Sequence, residues 1–172
     1  YVKTSLDAAT DYSGLLKEVD VIIHLAARAH VMDDKSNNPL EEFRSINTHA
    51  TLNLAAQAAK NGVKRFIFVS TAKVLGEKTA QSIRFTAFDS LCPQDPYSVS
   101  KAEAEMGLQK IAQESSMDLV IIRPPLVYGP DVKGNFEKLI RLTSLKMPLP
   151  LESINNRRSM VSVDNLVDLI AK

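Results

Sequence analysis

The chain of 172 residues carries 21 basic and 20 acidic side chains, a formal net charge of +1, and is 45% hydrophobic and 24% charged. That is the make-up of a globular sequence long enough to bury a core, and its near-neutral balance gives no electrostatic footprint for nucleic acid or an anionic membrane. No apolar run approaches the roughly 18 residues of a membrane span, and no signal-peptide pattern opens the chain. The single cysteine, Cys92, cannot form an internal disulfide and fits a reducing cytoplasm, which is the expected location. His24, His30 and His49 stand apart, without cysteine or carboxylate companions at ligand spacing, so no metal site is expected.

Residues 1–14 are polar, and Ser13 to Val19 predicts a brief helix. The continuous run Val21-Ile22-Ile23-His24-Leu25-Ala26-Ala27 predicts a strand buried on both faces, as in a parallel sheet. Its small closing residues leave room for a flat group against the backbone. From Leu40 to Asn61 the period becomes helical, with Phe43, Ile46, Ala50, Leu54 and Ala58 on one stripe and Gly62 as the stop signal. Arg65 to Val69 predicts a second buried strand ending in Ser70-Thr71, and residues 72–94 a long connection. A helix follows from Pro96 to about Ser115, then a third strand from Met117 to Arg123 closed by Pro124-Pro125. Tyr128-Gly129-Pro130 reads as a turn, Phe136 to Leu145 as a helix, Met160 to Val163 as a short strand, and the last residues as a new helix. This alternation predicts an α/β fold with a doubly wound parallel sheet, Rossmann-like, and truncated at both ends. In such sheets ligands bind at the carboxyl ends of strands, here Ala26-Ala27, Ser70-Thr71 and Pro124 onward.

Asp95-Pro96-Tyr97-Ser98-Val99-Ser100-Lys101 opens the third helix, with Pro96 suited to its first turn. Tyr97 and Lys101 lie four apart, on one face. An ammonium close to a phenol stabilises the phenolate and lowers its pKa, which suits Tyr97 to taking and giving a proton. A surface Tyr and Lys on an amphipathic helix give the same spacing, so the pair needs its context.

That context is a set of motifs in order: His24-Leu25-Ala26-Ala27, Asn47 with Thr51-Leu52-Asn53-Leu54, Val69-Ser70-Thr71 with Val74 and Gly76, Tyr97 with Lys101, and Arg123-Pro124 with Val127-Tyr128-Gly129-Pro130. Together they resemble the extended short-chain dehydrogenase/reductase family, and within it the NAD-dependent nucleotide-sugar epimerase/dehydratase group. The resemblance implies that residues 1–148 are part of a dinucleotide-binding Rossmann domain and 149–172 the start of a substrate-binding region. It makes Tyr97 the acid/base on a sugar hydroxyl, Lys101 the residue that holds the nicotinamide ribose and lowers the Tyr97 pKa, and Thr71 the partner of the same hydroxyl. It assigns cofactor contacts to Ser5, Leu6, Leu25, Ala26, Ala27, Asn47, Val69, Ser70 and Pro124, alongside Tyr97 and Lys101. Substrate contacts fall to Thr71, Lys73, Tyr97, Asn135, Phe136 and Arg158, whose guanidinium suits a diphosphate. Ser70 and Thr71 could instead merely cap a strand, Asn47 could be structural, and Arg158 could belong to a solvated arginine pair.

The implied cofactor is NAD, with NADP not excluded, and the implied ligand a nucleotide sugar. A homodimer through Ala50, Leu54, Ala58, Ala104 and Leu108 is expected by the same resemblance, though core packing would explain those residues equally. The Gly-rich pyrophosphate turn of the family is missing from this stretch, and Ser5-Leu6 stands where the family usually has an Asp. The chain therefore reads as a piece of a longer protein, one that is expected to bind no cofactor on its own. Dehydratases of the group carry Asp-Glu after the Thr, whereas Ala72-Lys73 follows Thr71 here, which argues against water elimination. The expected activity is 4-epimerisation of a UDP-hexose or UDP-N-acetylhexosamine through a 4-keto sugar. A 4-keto-sugar reductase and a non-catalytic binding domain are the alternatives.

Overall fold

The computed structural model describes residues 2–29, 38–80, 83–130, 135–144 and 157–172. They fall into two compact units, residues 1–123 and 124–172. The boundary expected at 148/149 lies outside the described residues.

In the first unit β1 (Val21–His24), β2 (Arg65–Val69) and β3 (Asp118–Ile122) form a parallel sheet in the order β1-β2-β3. Parallel neighbours require crossovers, and each crossover here carries helix. The first contains α1 (Pro39–Arg44), a π-helical stretch (Ser45–Ala50) and α2 (Thr51–Lys60). The second contains a 3₁₀ turn (Ala72–Leu75) and α3 (Pro96–Gln113). The register aligns Ile22 with Phe66 and Leu119, and His24 with Phe68 and Ile121. That face packs on Ala55 and Ala58 of α2 and on Ala104 and Leu108 of α3, with Tyr12, Leu16, Val63 and Met117 closing the core. Gly107 brings the two helices close, since a Cβ there would lie 2.6 Å from the methyls of Leu52.

The opposite sheet face corrects the expectation of burial on both sides. Val21 and Ile23 are each 47% exposed and Val120 38%, because α2 and α3 cover only the face that holds Phe66 and Phe68. β1 also stops at His24, three residues earlier than expected. Residues 13–19 form turns rather than a helix. Leu15 and Leu16 both donate to the Tyr12 carbonyl, at 2.8 and 3.1 Å, and Glu18 takes a positive φ of 62°. So short a segment cannot sustain a helix alone, and its conformation is set by Tyr12 and Leu16 entering the core.

The second unit holds β4 (Leu126–Tyr128), α4 (Asn135–Ser144), β5 (Met160–Ser162) and α5 (Val163–Ala171), with β4 and β5 paired in parallel. β4 was not expected, only a turn at Tyr128-Gly129-Pro130, because a strand of three residues is too short to display a period. Ser162 caps α5 by accepting from the Asn165 N–H at 3.2 Å. Gly129 lets the chain leave β4 close to α5, since a Cβ there would meet Val163 at 2.6 Å. Among the described residues no helix is long and apolar enough to cross a membrane.

Candidate active site

The start of α3 is built by a reciprocal cap. Asp95 is extended, and its Oδ1 accepts the Ser98 N–H at 2.7 Å while the Asp95 N–H donates to Ser98 Oγ at 3.1 Å. This satisfies donors that a helix end otherwise leaves orphaned, and Pro96 needs no partner at the first helical position. Tyr97 therefore sits in the first turn, half-buried, with Lys101 on the next turn and fully buried at 1% exposure.

A second layer of polar contacts holds that turn from below. Ser100 donates its hydroxyl to the Tyr97 carbonyl at 2.7 Å and accepts from Asn47 Nδ2 at 3.0 Å, while Thr48 Oγ1 donates to the Ser100 carbonyl at 2.8 Å. Asn47 also grips the backbone after β1. Its Oδ1 accepts the Arg28 N–H at 2.8 Å and its Nδ2 donates to the Arg28 carbonyl at 3.1 Å. The π-helical stretch carries both Asn47 and Thr48 at buried positions, and π segments recur at functional sites. Asn47 is thus a structural clamp between α3 and the segment that follows β1.

At the carboxyl end of β2 the two hydroxyls divide. The Ser70 N–H donates to the Ile122 carbonyl at 2.7 Å, and its side chain, 4% exposed, leaves Oγ buried with no partner among the described residues. Thr71 is half-buried and caps the 3₁₀ turn, its Oγ1 accepting the Lys73 N–H at 3.3 Å. The capping alternative thus describes one bond of Thr71 and leaves its hydroxyl proton to donate elsewhere.

The electrostatics depart from expectation. Burial holds the Tyr97 phenol above its ordinary pKa, and the Asp95 carboxylate pushes it the same way. The expected lowering by Lys101 is not what this arrangement produces. The Lys101 ammonium lies 4.0 Å over the Phe68 ring, and burial brings its own pKa down to about 8 although Glu105 opposes the shift. His24 stacks on the same Phe68 ring at 5.9 Å and shares a 2.9 Å hydrogen bond with Thr51 Oγ1. Burial, with the Lys101 charge adding to it, brings the His24 pKa down to about 4, so its ring is neutral at physiological pH.

The remaining expected positions scatter. Leu25, Ala26 and Ala27 are exposed beyond the end of β1, and Val69 is half-buried at the end of β2. Ser5 offers its carbonyl to the Tyr12 hydroxyl at 3.1 Å, and Leu6 packs on the core. Pro124 opens the second unit, and Arg158 is exposed two residues before β5. The side chains of Asn135 and Phe136, at the start of α4, lie outside the described residues. Ala50, Ala58, Ala104 and Leu108, expected on a dimer surface, are buried in the chain's own core, which leaves no room for that role.

Sequence reasoning missed Ser100, Thr48 and the charge of Asp95 as parts of the site. It also missed the pair between Glu105, wholly buried, and Arg123, whose Nη2 meets Glu105 Oε2 at 2.7 Å. The four-residue spacing from Lys101 to Glu105 was the available signal, placing the carboxylate on the same helix face.

With α3 set against the carboxyl end of β2 in this way, the first unit has the architecture of a Rossmann-like α/β protein. Solved structures share it. An NAD complex of a UDP-glucuronic acid 4-epimerase from Bacillus cereus superposes with a TM-score of 0.79 at 25% identity, covering 95% of this chain and 52% of that one. A dTDP-glucose 4,6-dehydratase from Streptomyces venezuelae with NAD bound gives 0.74 at 30% identity, covering 92% and 50%. The chain belongs to the NAD dependent epimerase/dehydratase family, whose model matches residues 2–172. It is 54% identical over 166 residues to a UDP-glucose 4-epimerase of Vibrio cholerae, covering 96% of this chain and 51% of that protein. The chain spans about half the length of the curated relatives it matches.

Proposed function

We propose that the complete protein inverts C4 of a UDP-hexose or UDP-N-acetylhexosamine, with NAD as its cofactor. The observation that carries this reading is the 54% identity to the Vibrio cholerae UDP-glucose 4-epimerase across 96% of the chain. The residues fit the cofactor: Ser70 keeps a buried hydroxyl without a partner among the described residues, at the strand end where doubly wound sheets receive ligands. Ser70, Lys101, Val69 and the exposed small residues Ala26 and Ala27 would hold it, with Ser5, Leu6 and Leu25 at the margin, and Asn47 would act from behind by clamping the backbone after β1. When bound, NAD supplies the acceptor for the C4 hydride and its return.

Tyr97 takes the proton of the C4 hydroxyl at its phenolic oxygen and gives it back once the 4-keto sugar has turned over. The phenolate is the form that takes this proton, its raised pKa making it a strong base, and the phenol so formed carries the proton until it returns to the sugar oxygen. Thr71 donates its hydroxyl hydrogen to the same sugar oxygen, and Lys101, charged at neutral pH, stabilises the phenolate when it forms. Arg158, with Asn135 and Phe136, is assigned to the nucleotide diphosphate and sugar. Residues 1–123 form the core of the cofactor domain in this reading. The complete protein is a cytoplasmic homodimer in this reading; a monomer by light scattering would overturn that part.

The test incubates the complete protein with UDP-glucose and UDP-N-acetylglucosamine, without added reductant, and follows C4 by NMR. Inversion is expected. Consumption of reduced cofactor on a 4-keto sugar, with no inversion, would make the protein a reductase. No turnover of either kind would leave the binding-domain reading standing.

A further inference from the structure

Lys73 stands between the two residues assigned to the sugar hydroxyl. Its backbone N–H is the one that Thr71 caps, and its Nζ reaches Asp95 Oδ2 at 2.7 Å, on the carboxylate that caps the helix bearing Tyr97. One side chain thus spans from the turn after β2 to the N-terminus of α3. Burial raises the Asp95 pKa, and the contacts from Lys73 and Ser98 outweigh it, so the carboxylate is charged at neutral pH. The ammonium that the family resemblance gave to the substrate is engaged within the chain.

The charged groups around Tyr97 come from several elements. Asp95 belongs to its own helix cap, and Lys101 follows one turn on. From α1, Phe43 presents its ring to Tyr97 edge-on at 6.1 Å, with the Arg28 guanidinium 5.5 Å from the Phe43 centroid on the segment after β1. Arg44 of α1 pairs with Glu103 of α3 at 2.6 Å, which leaves that pair close to neutral overall. From the 3₁₀ turn comes Lys73. Of these, Asp95 is the anion that disfavours the phenolate, and Lys73 is the cation in contact with it.

We propose that Lys73 is a positioning residue for the reaction: its ion pair with Asp95 fixes the Thr71 turn against the helix that carries Tyr97 and offsets the carboxylate beside the phenol. The inference rests on the roles given to Tyr97 and Thr71 above. The Lys73 side chain is 55% exposed, so the pair itself adds little to stability, and a melting temperature is not the informative readout.

The experiment uses the complete protein as Lys73→Met, Lys73→Arg, Asp95→Asn and the Lys73→Met/Asp95→Asn double variant. Asn keeps the helix cap while removing its charge. The Tyr97 phenol is titrated by NMR of ring-labelled tyrosine, its signal identified by its absence in Tyr97→Phe, and C4 inversion is measured alongside. Lys73→Met is expected to move the Tyr97 midpoint upward and to lower kcat near neutral pH by about three- to tenfold with KM little changed. Lys73→Arg restores both, and adding Asp95→Asn to Lys73→Met brings the midpoint back down. An unchanged midpoint in Lys73→Met overturns the proposal, as does a loss confined to KM, which would make Lys73 a substrate ligand. If the wild type fails to invert C4, the functional reading falls on its own, and the Tyr97 midpoint, which needs no turnover, still decides the role of Lys73.

Discussion

Over its first two turns α3 is fixed by directed polar contacts: the Asp95–Ser98 cap, the Ser100 bridge to Asn47, the Thr48 bond to the Ser100 carbonyl, and the Lys73–Asp95 pair. Beyond Ala104 the same helix is held by Leu108 and Ile111 packing with Phe66 and Phe68, Gly107 admits Leu52 of α2, and the buried Glu105–Arg123 pair locks it to the end of β3. Apolar packing fixes where a helix lies but tolerates small slides, whereas hydrogen bonds of fixed direction set the angle at which a side chain is presented. In the proposed function, the half that aims the Tyr97 phenol is the polar half.

Tyr97→Phe is the most severe way to test this division. It removes the proton carrier and nothing that supports the fold, so kcat for C4 inversion should fall by about 10²–10⁴-fold while thermal unfolding stays near wild type. Retained turnover would remove Tyr97 from the chemistry. In the apolar half, Leu108→Ala should destabilise by about 2–5 kcal/mol in a denaturant titration, with kcat of the folded fraction close to wild type. A kcat that falls in step with stability would erase the distinction between the two halves.

pH probes the layer beneath both. The unfolded His24 titrates near its ordinary 6.5 and the folded one at about 4, so between those values the unfolded state binds more protons. Stability is therefore retained above pH 6.5 and lost as the pH falls toward 4, by about 3 kcal/mol at most. His24→Gln should flatten that part of the stability–pH curve; an unchanged slope would assign the acid loss to other groups. A smaller loss of stability than in Leu108→Ala is expected from Asn47→Ala, about 1–3 kcal/mol for the two Arg28 backbone bonds it removes. Its kcat should nevertheless fall more than that of Leu108→Ala, because it releases Ser100 from below Tyr97. The reverse order would place the aiming of Tyr97 elsewhere.

Much of the fold could be read from sequence because its signals are local. The β-branched runs at Val21 and Arg65, the helical stripe from Leu40, Gly62 with its φ of 79° after α2, and Pro96 at the first turn of α3 each act within a few residues. What escaped depended on distant partners. The turns at 13–19 exist because Tyr12 and Leu16 enter the core, where Tyr12 also donates its N–H to Gln57 Oε1 at 2.7 Å, 45 positions away. β4 exists because β5 pairs with it across more than thirty residues. In the site, Tyr97, Lys101, Ser70 and Thr71 were legible as a spacing of residue types, but Ser100 and Thr48 are residue types too common to single out.

By itself the sequence determined the element order, the parallel α/β class, and the family to which residues 2–172 belong, because hydrophobic period, caps and motif spacing are properties of the chain alone. Only the tertiary structure decided the electrical state of the site. It set Lys101 against Phe68 in the core, left Asp95 as the anion beside Tyr97, and thereby raised the phenol pKa that the spacing alone would have lowered. A pKa follows the solvation and charges around a group, and the burial that dominates here comes from elements distant in sequence, whereas Asp95 lies only two residues away.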